Sequence, residues 1–221
     1  MTLHRAKTSE AVAEHILGLL FDGTLRTGDR IDVDGIAAAL GVSRVPVREG
    51  LMQLERDGLV RLPHYRGAFV AGFDADTVFE AFELYAMLSA LTNRRAAAKA
   101  DPAVLESLAK LDDALQRCEV VDEFEGLARE FRRVVNVSAA GNHLRALLRT
   151  FSGLVPAAAR FAIEDALPAE REALRAEYEA LRAGDPDAAA QAALDHINLT
   201  AANAVAALKR KGVFSEEGGG E

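Results

Sequence analysis

The sequence contains no tryptophan, and only 6% of its 221 residues are aromatic, so alanine, leucine and valine must form most of its core. The single cysteine, Cys118, excludes an intramolecular disulfide and a zinc site built from cysteines. No uninterrupted apolar run approaches the ~18 residues of a membrane span. The charged N-terminal segment is unlike a signal peptide. We therefore expect a cytoplasmic protein with no membrane partner.

Charge is distributed unevenly along the chain. The formal net charge of −8 argues against a polybasic protein that coats nucleic acid or membranes. Residues 1–73 carry nine basic and nine acidic side chains, so the whole excess of acid lies in the remainder. This difference predicts two domains, at 5–73 and 74–212. The polar, glycine-rich segment 213–221 is predicted to be a disordered tail.

The first domain has the pattern of a helix-turn-helix. Apolar spacing predicts a helix over residues 9–22. An aspartate, Asp32 or Asp34, can cap a short second helix, and Ser43 can cap a third helix over 43–56. Two short helices joined by a tight turn that contains glycine have the helix-turn-helix spacing.

A β-hairpin, or wing, is predicted after the third helix, because two short apolar runs, 59–62 and 67–70, flank a polar loop. The candidate DNA contacts are Ser43, Arg44, Arg48, Arg66 and Gly67. The first three lie in the first turns of the third helix, where an arginine can bind a guanine edge or a phosphate. The last two place a cation at the wing tip beside a residue without a side chain. The alternative is that these arginines form an ordinary solvated face.

The segment GVSRVPVREGL at residues 41–51 resembles the recognition-helix block of the GntR superfamily of bacterial transcription regulators. Shorter segments on either side follow in the family's order and spacing, so the resemblance covers about residues 8–73. It implies a winged helix-turn-helix that binds double-stranded DNA, and we expect a homodimer on an inverted-repeat operator. Gly50 departs from the family's usual alanine and is expected to cost up to ~1 kcal/mol of helix stability. Thr27 departs from its usual proline.

The second domain is predicted to be entirely helical. Amphipathic periodicity and short connections predict an antiparallel bundle. The predicted helices are 74–99, 102–118, 120–139, 142–165, 168–183 and 186–211. Helices in this order after a GntR-like winged helix resemble the FadR-type effector-binding domain called FCD. The predicted fold is therefore mainly α, with an N-terminal winged helix-turn-helix and a C-terminal bundle of six to seven helices.

Many FCD domains hold a divalent metal with one aspartate and three histidines, and the resemblance identifies the matching positions. They are Ala128, Arg132, Leu174 and His196 in this sequence. Alanine and leucine have no ligand atom, and arginine does not lose its proton. One imidazole does not hold a transition metal by itself. We therefore expect neither a metal nor any other cofactor.

A polar set remains at the expected effector site. The candidate effector-binding residues are Tyr85, Arg132, His196, Thr200 and Asn203. The last three stand at i, i+4 and i+7 on one helix face, and an inward guanidinium suits a carboxylate. We expect a small anionic effector, most simply a carboxylate, on Arg132. The alternative is that Arg132 pairs with an acid of the protein, such as Glu125 or Glu130, and that His196 is a satisfied core histidine.

No catalytic set is present in the sequence. It lacks a histidine pair at metal spacing, a glycine-rich phosphate loop and a Gly-x-Ser-x-Gly segment. We therefore predict a ligand-responsive transcription regulator, a repressor rather than an enzyme. The alternatives are an all-helical small-molecule-binding protein or enzyme that carries a winged helix as an interaction module, and a winged-helix protein whose bundle only dimerises.

Overall fold

The computed structural model describes residues 2–151 and 153–214, which divide into two compact units. The first unit comprises residues 2–78 with 208–214, and the second comprises residues 79–207. The predicted tail falls outside the described residues from position 215 onward. Its first two residues are packed, because Val213 is buried and the Phe214 ring lies 5.7 Å from that of Phe73.

The first unit is a winged helix-turn-helix, as predicted. Its elements are α1 (Thr2–Phe21), β1 (Arg30–Ile31), α2 (Val33–Leu40), α3 (Arg44–Arg56), β2 (Val60–Arg61) and β3 (Ala68–Val70). The antiparallel sheet has the order β1-β3-β2, with Ile31 opposite Ala68 and Val60 opposite Val70. The predicted hairpin therefore gains a third strand from the short extended segment before α2.

The turn between α2 and α3 is fixed by local chemistry. Asp32 caps α2, since its carboxylate accepts a hydrogen bond from the Asp34 amide. Gly41 ends α2 in the left-handed conformation, at φ 63°, which costs glycine little. Ser43 occupies the cap position of α3, but its side chain makes no capping hydrogen bond. The prediction that it caps α3 through its hydroxyl is therefore wrong.

Helices α1 and α3 pack closely at Gly50, and this packing explains the glycine. A Cβ at this position would lie 2.9 Å from the Ser9 carbonyl oxygen and 2.9 Å from a Val12 methyl carbon. The absent side chain therefore allows a close helix approach, which the expected cost in helix propensity did not take into account. The buried side chains around this contact include Val12, Ile16, Leu20, Val47, Leu51 and Leu54.

The remaining elements are helical. They are α4 (Ala75–Lys99), α5 (Pro102–Arg117), α6 (Val121–Ala139), α7 (Asn142–Thr150), α8 (Leu154–Ala183) and α9 (Pro186–Arg210). The predicted helix 142–165 is wrong, because the chain leaves the helix after Thr150 and starts again at Leu154. α8 continues through Pro168 with a kink at Ala166. A proline ring lacks an N–H and clashes with the preceding turn, so it bends this helix.

The core of the second unit is built mainly from leucine, phenylalanine and alanine. Its most deeply buried large side chains are Phe82, Leu108, Leu115, Phe124, Phe131 and Leu174. Among the described residues, no single helix is long and apolar enough to cross a membrane. Helices α7 and α8 taken together reach that length and hydropathy, but they are bent by 62° where they meet.

Candidate DNA-binding surface and effector cavity

The start of α3 and the wing border a common groove in the first unit. The groove has a volume of about 560 Å³ and is lined by Arg44 and Arg48 from α3 and by Gly67 from the wing. Both arginines are exposed, as are the other two charged or polar candidates, Ser43 and Arg66, which do not line the groove. The structure therefore brings the predicted arginines of α3 and the glycine of the wing to one concave surface.

Arg44 is bound to an acidic partner that the sequence analysis treated only as a possible cap. Its Nε donates to Oδ1 of Asp34 at 2.5 Å, and its Nη2 donates to Oδ2 at 2.7 Å. The two side chains are 71% and 62% exposed. The pair joins the first turn of α2 to the first turn of α3. The sequence did not indicate this ion pair, because two residues that meet across a turn have no fixed spacing along the chain.

The wing tip has an unusual backbone. Tyr65 adopts a φ of 58° and is fully exposed, while Gly67 has a φ of 93°. A Cβ at Gly67 would lie 3.3 Å from Nε of Arg30, so the glycine leaves room for that guanidinium. Arg30 and Tyr65 are exposed residues near the candidate DNA contacts that sequence reasoning missed. Strand β1 brings Arg30 there, and its pairing was not visible in the sequence.

A cavity of about 120 Å³ lies inside the second unit, between α4, α6, α8 and α9. Tyr85, Arg132, His196 and Thr200 line it, together with apolar side chains such as Phe82 and Leu174. The Tyr85 ring also packs against Phe151, with a centroid distance of 5.9 Å. Four of the five predicted effector residues therefore meet at one cavity.

Arg132 forms a buried ion pair with Glu177. Its Nη1 donates to Oε2 at 2.5 Å, and its Nη2 donates to the other carboxylate oxygen. The side chain of Glu177 has no exposed surface, and that of Arg132 is 13% exposed. Burial alone would raise the pKa of Glu177, but the charge of Arg132 and the hydrogen bond from His196 lower it. The structure therefore shows the alternative in which Arg132 pairs with an acid of the protein. That acid is Glu177 and neither Glu125 nor Glu130.

His196 lies between two carboxylates of α8. Its Nδ1 is 2.5 Å from Oε1 of Glu177, and its Nε2 is 3.2 Å from Oε2 of Glu170. Burial alone would lower the pKa of His196, but the hydrogen bonds to both glutamates and the charge of Glu177 raise it above its usual value. Nη2 of Arg132 also lies 2.7 Å from Nδ1, and its positive charge opposes this rise in pKa.

The predicted polar face of α9 contacts Glu170. The Thr200 hydroxyl donates to Oε2 at 2.7 Å, and Nδ2 of Asn203 lies 3.3 Å from Oε1. Asn203, the fifth predicted effector residue, is thus connected to the other four through Glu170. The sequence analysis missed Glu170 and Glu177, because glutamates on an amphipathic helix are usually solvated. Their spacing of seven residues, two helical turns, was the available signal.

The charge of Arg132 is neutralised within the protein. Its guanidinium is paired with Glu177, and His196 lies between Glu177 and Glu170. Of the two partners considered for Arg132, an effector and an acid of the protein, the structure shows the acid, so the carboxylate effector stays a prediction that the charge of Arg132 does not require.

The same residues do not fit the metal that the resemblance implies. Ala128 offers no ligand atom, the Arg132 guanidinium is bound to Glu177, and both His196 nitrogens are engaged by carboxylates. Among the residues that the structure describes, no cluster of three or more His, Cys, Asp or Glu is arranged for a metal ion.

Comparison with known proteins agrees with this architecture of a winged helix joined to a helical domain. Residues 8–70 match the family model "Bacterial regulatory proteins, gntR family", and residues 80–199 match the FCD domain model. The chain therefore belongs to the GntR family of bacterial regulators and carries an FCD domain.

Two relatives in Mycobacterium tuberculosis are HTH-type transcriptional regulators. Rv0043c is 42% identical over 150 residues, which are 68% of this chain and 62% of that protein. This chain thus matches less than two thirds of the length of that relative. Rv0494 is 28% identical over 218 residues, 89% of each chain. A crystal structure of a GntR transcriptional regulator from Rhodococcus sp. RHA1 has a TM-score of 0.60 at 25% identity and covers 90% of this chain and 97% of its own.

Proposed function

We propose that this protein is a DNA-binding transcription regulator of the cytoplasm, a repressor whose operator affinity changes when a small molecule enters the cavity of its FCD domain. The observation that carries this proposal is the pair of exposed arginines, Arg44 and Arg48, at the start of α3 beside the groove of the wing. Family membership supports it, since the first unit is the domain that the GntR model matches.

The arginine positions suit the reading of base edges. A helix-turn-helix places the N-terminal residues of its second helix in the major groove, and those residues are the first turns of α3. Arg44 and Arg48 are one turn apart and share a face. An arginine there can bind O6 and N7 of guanine with two hydrogen bonds. We expect the exposed Arg66 of the wing to contact a phosphate.

A homodimer on an inverted repeat follows from the small size of this surface. One recognition helix of 13 residues reads few base pairs, and two-fold symmetry doubles the site. On α4, Leu84, Met87 and Leu91 are 48%, 63% and 38% exposed. They stand at i, i+3 and i+7 and thus form one apolar stripe that a second copy can cover. Met87→Glu should then give a monomer by light scattering and weaken operator binding.

The DNA-binding proposal is tested with a duplex that the wild-type protein selects from a random library. Arg48→Ala should weaken binding to this duplex by about tenfold or more, because one bidentate guanine contact is lost. Arg133→Ala removes the same charge from an exposed position of the second unit and serves as the control. Undiminished binding by both Arg44→Ala and Arg48→Ala would show that α3 is not the recognition helix.

The effector proposal is tested by thermal shift with small carboxylic acids and their uncharged amides. A ligand that binds only the folded state adds about 2.7 kcal/mol at a hundredfold excess over its Kd. Thr200→Val keeps the volume of a cavity-lining side chain but removes its hydroxyl, so it should weaken that shift. Reciprocal coupling requires the same ligand to change operator affinity. A shift that persists unchanged in both Thr200→Val and Tyr85→Phe would place the ligand elsewhere.

The repressor role is tested by transcription in vitro from a promoter that contains the selected operator. The protein should lower transcript yield, and a ligand that weakens operator binding should restore it. An increase in yield on addition of the protein would identify an activator instead.

A further inference from the structure

The Asp34–Arg44 pair leaves one particular edge of the guanidinium unoccupied. Asp34 accepts from Nε and from one N–H of Nη2. Arginine has five N–H donors in a fixed plane, so the terminal edge formed by Nη1 and Nη2 still presents two parallel N–H groups. This edge carries no further hydrogen bond within the part of the chain that the structure describes.

Structural stabilisation does not account for this pair. Its two side chains are 71% and 62% exposed, and exposed ion pairs contribute little to stability because water and salt screen them. The contact between α2 and α3 also has an apolar basis in the buried side chains of Ile36 and Val47. The helix dipole favours an acid in the first turn of α2, but it does not require that acid to hold Arg44 through two hydrogen bonds.

The position of Asp34 is unfavourable for simple DNA attraction. It lines the groove between α3 and the wing, where it is the one carboxylate among the described lining residues. A negative charge there repels the phosphates of any duplex, whatever its sequence. Such a residue is expected to weaken non-specific binding, and it is useful only where it improves a specific contact.

We propose that Asp34 is a positioning residue for base recognition, which fixes the guanidinium of Arg44 so that its terminal edge meets O6 and N7 of one guanine. This inference rests on the proposed function, because it takes α3 as the recognition helix. A long arginine side chain loses rotamer freedom when it binds a base edge, and the carboxylate removes part of that freedom in advance. The two bonds to Asp34 and the two bonds to guanine use different N–H groups, so they coexist.

The experiment uses the full-length protein, the duplex selected by the wild-type protein, a panel in which each base pair of that duplex is changed singly, and a scrambled duplex. Asp34→Asn keeps the size of the side chain and removes its charge. Glu14→Gln makes the same charge change at an exposed position of α1 and serves as the control. Binding is measured by fluorescence anisotropy at several salt concentrations, and circular dichroism checks the fold.

Asp34→Asn should lower discrimination at one G·C pair by about threefold or more, out of the tenfold or greater discrimination that a bidentate arginine provides. Its affinity for the scrambled duplex should be unchanged or higher, because a repulsive charge is gone. In an Arg44→Ala background the same substitution should have no further effect on discrimination, since the two residues act through one contact. Glu14→Gln should leave the whole panel unchanged.

Two outcomes would overturn the inference while the proposed function stands. In one, Asp34→Asn weakens binding to every duplex equally, which would mean that the Arg44 edge binds a phosphate. In the other, it strengthens binding to every duplex equally, which would mean that Asp34 only repels DNA. If Arg44→Ala and Arg48→Ala both bind the selected duplex as wild type does, the DNA-binding assignment of α3 itself fails.

Discussion

Each of the two units contains an arginine bound through two hydrogen bonds to a carboxylate, and the surroundings give these pairs opposite properties. The Arg44–Asp34 pair of the first unit is largely exposed, whereas the Arg132–Glu177 pair of the second is buried. Water can replace either partner in the exposed pair at little cost. In the buried pair, loss of one partner leaves an uncompensated charge in an apolar cavity. An arginine–carboxylate pair is therefore suited to binding DNA in the first unit and to stabilising the fold in the second.

The largest effect is expected from Glu177→Ala, which leaves the buried Arg132 without its partner. Removing one member of a buried ion pair costs about 3–5 kcal/mol, and the urea unfolding free energy should fall by that amount. The double variant Arg132→Met/Glu177→Leu removes both charges and keeps the volume, so it should recover most of the loss. A loss below about 1 kcal/mol in the single variant would show that the pair behaves like an exposed one.

A second difference between the units is packing, which is tight at the α1–α3 contact of the first and open at the cavity of the second. Gly50→Ala should destabilise the protein, because the added Cβ meets the Ser9 carbonyl and Val12 at 2.9 Å. Overpacking costs about 1–3 kcal/mol, which exceeds the gain of up to about 1 kcal/mol in helix propensity. Gly18→Ala on α1, where a Cβ would have nothing within 4 Å, is the control and should stabilise. Stabilisation by Gly50→Ala would contradict the close approach.

The buried network should also give the protein a pH dependence through His196. Its raised pKa means that its contribution to stability is fully present below its usual value of 6.5 and is lost as the pH rises through the raised value. The groups that face it are Glu170 and Glu177 from α8 and Arg132 from α6. The difference in unfolding free energy between wild type and His196→Gln should therefore shrink as the pH rises from about 6 to about 9. A constant difference would show that folding does not raise the pKa of His196.

The sequence predicted the fold class and most of the helices in their order. Local signals, such as Gly41 at the end of α2 and the proline at the start of α5, depend on neighbouring residues and are visible in one dimension. The partners of Arg44 and Arg132 lie 10 and 45 residues away, and many acids were available at comparable distance. Only the packing of the helices selects Asp34 and Glu177 from among them.

The break after Thr150 shows the same limit in the fold itself. The apolar periodicity of the segment 142–165 continues across the break, so the pattern alone predicted one helix. The sequence predicts a helix that starts at Pro168, because proline is common at the first helical position. In the structure it lies inside α8 next to a kink, which is the other environment that a proline tolerates. A single sequence did not distinguish these two roles.

The smallest effect on stability is expected at the exposed Asp34–Arg44 pair. Asp34→Asn should change the unfolding free energy by less than about 1 kcal/mol, because both partners are hydrated in the folded protein. Raising the salt concentration should reduce even this difference, since exposed charges are screened. These differences in unfolding free energy are measured by urea unfolding at low and high salt, with wild type, Asp34→Asn and Arg44→Ala. A loss of several kcal/mol in either variant would make the pair structural, and the division of roles between the two units would then be wrong.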